Sequence, residues 1–348
     1  MRIGLVIYGS LDTVSGGYLY DRTLVDYLRS QGDTVEVISL PWRNYAAHLT
    51  DNFHFRLPKN LDILIQDELN HPSLLLANRE KHSYPLISLV HHLRCSELRP
   101  GWQNVLYRWV EKQYLNSVDG FIFNSKTTQN VVYELVEPRK PGVIGYPPTD
   151  RFGDPPAENE IIERAKSDEF RILFLGNVIY RKGLHTLLEA ITSLERKFHL
   201  DIVGSLDSDR AYALQMQEFV RLNGLSAYVT FHSSLDKLPL LEKLKQAHIL
   251  VVPSSYEGFG IVYLEGMGFG LPAIGTTAGA AGEIIQHGKT GFLIEPEDSG
   301  SLAKHIKFIM GDRAALSRLS LNARAHYLRQ PVWTETASAI RQFLFSFM

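Results

Sequence analysis

Short runs of apolar, often β-branched residues punctuate this chain, and longer amphipathic stretches separate them. In the first half the runs fall at 2–8, 34–40, 61–66, 85–91, 120–124 and 142–146, with helix-like stretches such as 18–31 and 105–117 between them. Runs that are apolar on both faces and separated by helices predict a parallel sheet covered on both sides. The pattern then restarts. A second set of runs falls at 170–175, 199–203, 228–232, 248–253, 272–275 and 291–294, with helical stretches including 184–196 and 210–223. Between the sets lies Tyr146-Pro-Pro-Thr-Asp-Arg-Phe-Gly-Asp-Pro-Pro156. Its prolines break helix and strand alike and mark a linker. A closing helical stretch, 333–347, follows Pro331. The expected architecture is α/β: two Rossmann-like, doubly wound domains at 1–150 and 151–330 facing across a cleft, then a C-terminal segment at 331–348.

Length and composition agree with two cores. The chain has 348 residues, 45% hydrophobic and 21% charged, which reads as soluble and globular. Its formal net charge of −2 supplies no global field that draws it to nucleic acid or anionic lipid. The single cysteine, Cys95, excludes an intrachain disulfide and fits a reducing compartment. No segment approaches the ~20 apolar residues that span a bilayer. The reading is a cytoplasmic protein, with peripheral contact at the inner face of a membrane left open.

In open α/β sheets, ligands bind beyond the carboxyl ends of the strands, so residues just after strands carry the candidate chemistry. The strongest string is Pro253-Ser-Ser-Tyr-Glu-Gly-Phe-Gly-Ile-Val-Tyr-Leu-Glu265, a strand end, a glycine turn and a helix start. Free backbone N–H groups at such a start suit a diphosphate or sugar hydroxyls, and Gly258 and Gly260 admit close approach of a ligand. Glu257 and Glu265 accept hydrogen bonds only, which suits paired hydroxyls. A second string, Gly176-Asn-Val-Ile-Tyr-Arg-Lys-Gly183, places Lys182 between a strand and a helix, where its positive charge suits a diphosphate. Ser15-Gly16-Gly17 follows the first strand; paired glycines there permit positive φ and close approach. His91 and His92 end the fourth run, at the expected cleft.

Glu257 and Glu265, with seven residues between them and Gly-Phe-Gly after the first, resemble the E-x7-E motif of family-4 retaining glycosyltransferases. The resemblance extends to the early glycine loop, the Pro-rich linker, Leu271-Pro-Ala-Ile, and Glu283-Ile-Ile-Gln-His-Gly-Lys-Thr-Gly-Phe-Leu-Ile-Glu-Pro. It implies the two-domain GT-B fold, an acceptor-binding first domain, a nucleotide-sugar-binding second domain and a last helix that crosses back onto the first. It further implies transfer of a sugar from a nucleoside diphosphate with retention of configuration, no essential metal and no cofactor beyond that donor.

By the same resemblance Glu257 contacts the transferred sugar, Glu265 the ribose, and Lys182 the diphosphate. Gly16, Gly17, Asn177, Arg181, Gly258, Phe259, Gly260 and Ile261 line the donor site, and His91 faces the donor sugar or the acceptor. Catalytic roles fall to Glu257, Lys182 and His91. Asn177 departs from the family, which has arginine there, and this removes one fixed cation. The acceptor, whether glycan, lipid-linked or small molecule, stays open, as do donor sugar and base.

Weaker features receive plainer readings. Gly279-Ala-Ala-Gly-Glu283 either lines the sugar pocket or packs a helix start. Asp207-Ser-Asp209 has the form of a D-x-D metal motif, but it precedes a helix, where aspartate is a common cap. His48, His71 and His305 show no ligand spacing. The stretch 94–112, with Arg99, Trp102, Tyr107, Arg108 and Trp109, is either a lipid-headgroup contact or an amphipathic helix packed on its own sheet, and the packed form is preferred. The alternatives are a sugar-nucleotide-binding protein without turnover and an epimerase or phosphorylase on the same fold. A dehydrogenase is disfavoured, because the first strand lacks a following Gly-x-Gly-x-x-Gly.

Overall fold

A computed structural model describes residues 1–13, 15–97, 101–148 and 150–348. All twelve strands read from the sequence form, most with ends displaced by one or two residues. They are β1 (Arg2–Tyr8), β2 (Thr34–Leu40), β3 (Ile63–Asp67), β4 (Leu86–Val90), β5 (Gly120–Phe123), β6 (Gly142–Ile144), β7 (Phe170–Leu175), β8 (Phe198–Val203), β9 (Val229–His232), β10 (Ile249–Val251), β11 (Ala273–Thr276) and β12 (Gly291–Ile294). The chain divides into two compact units: Met1–Pro148 with Pro331–Met348, and Thr149–Gln330.

In the first unit the strand order is β2-β1-β3-β4-β5-β6, every described pair parallel. β3, β4 and β5 are buried along their whole length, as continuous apolar runs require. One face packs on the helix Gly16–Ser30 through Tyr20, Leu24, Val25 and Leu28. The closing helix Trp333–Phe345 packs on the same side, burying Trp333, Ala337, Ile340 and Leu344. Trp333 Nε1 donates to the Thr23 carbonyl at 3.3 Å, and the Arg341 guanidinium pairs with the buried Asp33 at 2.6 Å. The expected return of the last helix to the first unit is therefore present. The opposite face of the sheet carries Tyr114 and Leu115 from the helix Gly101–Leu115.

In the second unit the order is β12-β11-β10-β7-β8-β9, again parallel. Read from the other edge and counted within the unit, this is 3-2-1-4-5-6, the Rossmann order. Strand order reverses between β7 and β10 here, and between β1 and β3 in the first unit. Crevices open at such points because the loops on either side leave for opposite faces of the sheet.

Candidate functional site

The loop after β7 and the loop after β10 meet at the second unit's switch point. Gly183 has φ of +71°, and a Cβ there would lie 2.0 Å from the Pro253 carbonyl oxygen. Only glycine admits that approach. The Ser255 N–H donates to the Arg181 carbonyl at 2.8 Å, and Arg181 Nη1 donates to the Tyr256 carbonyl at 2.8 Å. These bonds bring Lys182 to Glu257, with Nζ 2.5 Å from Oε1. Ser254 Oγ donates to the same oxygen at 2.6 Å, and Arg181 Nη1 stands 4.0 Å from Oε2. Burial opposes ionisation of Glu257, but Lys182 and Arg181 hold its carboxyl below the usual range. Burial pulls Lys182 downward, and Glu257 counters it. The result is a charged, nearly enclosed pair whose ammonium keeps N–H donors with no partner among the described residues.

A third loop closes on Glu257 from β11. Gly279 has φ of +79°, its added Cβ would lie 2.1 Å from the Glu257 oxygen, and the Ala280 N–H donates to that carbonyl at 2.8 Å. Next, Gly260 at φ of +92° turns the chain into the helix Ile261–Gly268, which no side chain among the described residues caps. Its leading N–H groups are oriented donors of the kind that bind anions. Glu257, Gly258, Phe259, Gly260 and Ile261 thus follow one another around a single turn.

Glu265 is not gathered into the Lys182 cluster. It is buried in the same helix, with Oε1 2.5 Å from Arg151 Nε as an ion pair; neither carboxylate oxygen has an aligned hydrogen bond among the described residues. Burial raises its pKa, and Arg151 opposes the rise. Oε2, the oxygen turned from Arg151, keeps acceptor capacity for a hydroxyl group. Asn177 is also committed elsewhere: its Oδ1 accepts from the Ser205 N–H at 3.4 Å, tying the loop after β7 to the loop after β8. Asp209 caps the helix Arg210–Leu222 by accepting from the Tyr212 N–H at 3.1 Å, which is the cap expected of it.

The first unit builds a different cluster at its own switch point. Gly16 and Gly17 lie in the first turn of the helix Gly16–Ser30, capped by Ser15, and neither uses the positive φ that glycine permits. Gly17 lies against the His91 ring, which a Cβ there would touch at 3.4 Å, an ordinary contact. His91 follows β4, and its Nε2 lies 3.0 Å from Asp21 Oδ1. Burial lowers the His91 pKa, but the adjacent Asp21, with Asp67 and Glu68, more than reverses this and lifts it to about 9. Burial and the neighbouring Asp21 push Asp67 up to about 7. Asp21 Oδ2 is buried without a partner among the described residues. His92 turns to Glu97, 2.9 Å away.

Sequence reading missed Asp21 and Asp67. Asp67 ends β3 and was reachable by the rule that chemistry follows strands; Asp21 lies inside a helix and carries no local signal. His71 also gains company, since Glu68 precedes it by one turn and Glu111 arrives from the helix Gly101–Leu115. Among the described residues, Asp21–Asp67–His91 and Glu68–His71–Glu111 are the groups with ligand-type atoms within 4.8 Å of one another, a donor set a divalent cation accepts. In both, existing bonds occupy part of the set: Asp21 serves His91, and Glu111 accepts the Arg94 N–H at 2.5 Å. Arg99 lies outside the described residues. No helix among the described residues is long and apolar enough to cross a membrane.

Residues 157–326 match the family model described as "Glycosyl transferases group 1". A glycogen synthase of Mycobacterium tuberculosis is 26% identical over 276 residues, covering 78% of this chain but 65% of that protein. The match thus spans less than two thirds of that relative's length. The D-rhamnosyltransferase WbpZ of Pseudomonas aeruginosa is 29% identical over 323 residues, 90% of this chain and 77% of that one. Among solved structures, a sucrose-phosphate synthase from Thermosynechococcus elongatus superposes with a TM-score of 0.83 at 21% identity, covering 99% of this chain and 98% of that chain. The last likeness shows the fold, the two-unit GT-B class expected from the sequence.

Proposed function

We propose that this chain is a retaining, metal-independent family-4 glycosyltransferase that moves a sugar from a nucleoside diphosphate to an acceptor hydroxyl. The observation that carries the reading is the Lys182–Glu257 pair beside an uncapped helix start at the second unit's switch point. A diphosphate needs cations and oriented N–H groups, and the cluster supplies Lys182, Arg181 and the start of the helix Ile261–Gly268. The match of residues 157–326 to a glycosyl transferase model supports the same assignment.

In this mechanism the bond between the sugar's anomeric carbon and the diphosphate oxygen breaks, and its electron pair stays on the diphosphate. Lys182 and the helix N–H groups stabilise that charge. The acceptor oxygen attacks the same face of the sugar, and its proton passes to the departing phosphate oxygen. Glu257 orients sugar hydroxyls, and Glu265 accepts from the ribose with Oε2. Fixed cations take the place a metal ion fills in other phosphate sites, so activity is expected to persist in chelator. In the first unit, His91 as an imidazolium donates to the sugar or acceptor. The acceptor is a carbohydrate, lipid-linked or small-molecule hydroxyl, and the working compartment is the cytoplasm.

A screen of UDP-, GDP- and ADP-sugars for thermal stabilisation, followed by nucleotide release, tests the assignment. One donor class is expected to raise the melting temperature and to be turned over slowly. Tight binding with no nucleotide release over prolonged incubation with acceptors would leave a binding protein. Transfer at near wild-type rate by Glu257→Ala would remove the proposed site.

A further inference from the structure

The helix Gly101–Leu115 is built inside out. Trp102, Val105, Leu106 and Trp109 recur at i, i+3, i+4 and i+7, the spacing of a single apolar stripe. That pattern normally identifies the face a helix turns toward its core, and the sequence preference was for packing. Instead, Trp102 is 71% exposed, Val105 69%, Leu106 49% and Trp109 60%. The buried residues of this helix are Val110, Glu111, Tyr114 and Leu115, which centre on the opposite side. Glu111 is fully buried and accepts the Arg94 N–H at 2.5 Å and the Cys95 N–H at 3.2 Å. Tyr114 donates its hydroxyl to Ser88. The inward face is therefore committed to holding the loop after β4, and the apolar stripe is left outside.

The exposed charges on this helix, Arg108 and Lys112, are both positive, and its one acid, Glu111, is inside. At ~100° per residue they flank the stripe on its Val105 side. Tryptophans and cations along one edge of an apolar stripe are the composition of a helix seated at a membrane–water interface. We propose that the helix Gly101–Leu115 docks this protein on an anionic bilayer surface. Trp102, Val105, Leu106 and Trp109 enter the acyl-chain boundary, and Arg108 and Lys112 meet lipid phosphates. The stripe is roughly 10 Å long, two turns, which fits shallow seating rather than spanning. A second copy is the poorer occupant, because pairing this face with itself sets like cations against each other, whereas an anionic surface neutralises them. This surface goes beyond the sugar-transfer reading and is tested without donor or acceptor, so the two stand or fall separately.

The test is flotation of the full chain with vesicles of phosphatidylcholine alone or mixed with phosphatidylglycerol. The wild type is expected to float with the mixed vesicles, with blue-shifted tryptophan emission. Arg108→Gln with Lys112→Gln lowers partitioning by about thirtyfold, and added salt does likewise. Trp102→Ser with Trp109→Ser lowers it by about tenfold or more, with circular dichroism unchanged. The proposal is overturned if the wild type stays in the soluble fraction, or if the tryptophan variant floats as the wild type does. It is equally overturned if sedimentation shows a dimer that the tryptophan variant dissolves.

Discussion

In the first unit the strand order turns between β1 and β3, and in the second it turns between β7 and β10. Both units gather their polar side chains there, yet the two gatherings differ. At β7 and β10 the chain assembles Arg181 and Lys182 around one carboxylate, beside uncapped helix N–H groups. At β1 and β3 it assembles Asp21, Asp67 and Glu68 around one imidazole. The backbones differ in kind as well. The second site depends on Gly183, Gly260 and Gly279, all at positive φ, two of them against another loop's carbonyl. The first uses no left-handed residue at Gly16 or Gly17, and a Cβ at Gly17 would make only an ordinary contact with His91. One topology thus gathers cations around a carboxylate in one unit and acids around an imidazole in the other, because topology fixes where loops converge and the residues fix the sign of the field.

The sharpest way to break this contrast is to remove the cation. Lys182→Ala is expected to lower the transfer rate by about 10²–10³-fold, as loss of one preorganised donor does in other sites. It also leaves Glu257 buried without its partner, at about 3–5 kcal/mol of stability. Steady-state kinetics with thermal melts check both. If melting falls and turnover does not, the pair is structural and the second unit's site is not an anion site.

A smaller effect is expected from Asp21→Asn. The His91 pKa is raised in the fold, to about 9. The stabilisation from its proton is therefore complete below the unfolded value near 6.5 and is lost as pH rises through about 9. The variant should melt several degrees lower at about pH 6 and close to the wild type at about pH 10. Its transfer rate should fall by roughly tenfold, with the alkaline limb of the pH profile moved toward neutrality. Chemical-shift titration of His91 reads the pKa directly, and an unmoved titration removes Asp21 as the positioning residue.

The smallest effect sharpens the contrast instead of breaking it. Asn177→Arg adds a cation beside the anion site and is expected to tighten nucleoside diphosphate binding by about threefold to tenfold. It also costs the Asn177–Ser205 bond, so a compensating loss of melting temperature is expected. Calorimetric titration of UDP and GDP checks the affinity. Unchanged binding would mean that position 177 faces the neighbouring loop alone.

The sequence determined the strands, the two-unit division and the parallel sheets. Alternating runs that are apolar on both faces admit few other solutions. It also exposed the loops after β7 and β10, because chemistry that must follow a strand leaves a local string to read. Lys182 and Glu257 were legible for that reason. Asp21 was not, because its partner His91 is seventy positions away and only the packing of the helix Gly16–Ser30 on the sheet joins them. The fate of Glu265 and of the stripe Trp102–Trp109 was likewise decided in three dimensions. Periodicity states that a helix has an apolar side; it does not state which side the core takes. In the helix Gly101–Leu115, bonds donated by the Arg94 and Cys95 N–H groups to Glu111 fixed the inward face, and the apolar residues were turned to the surface.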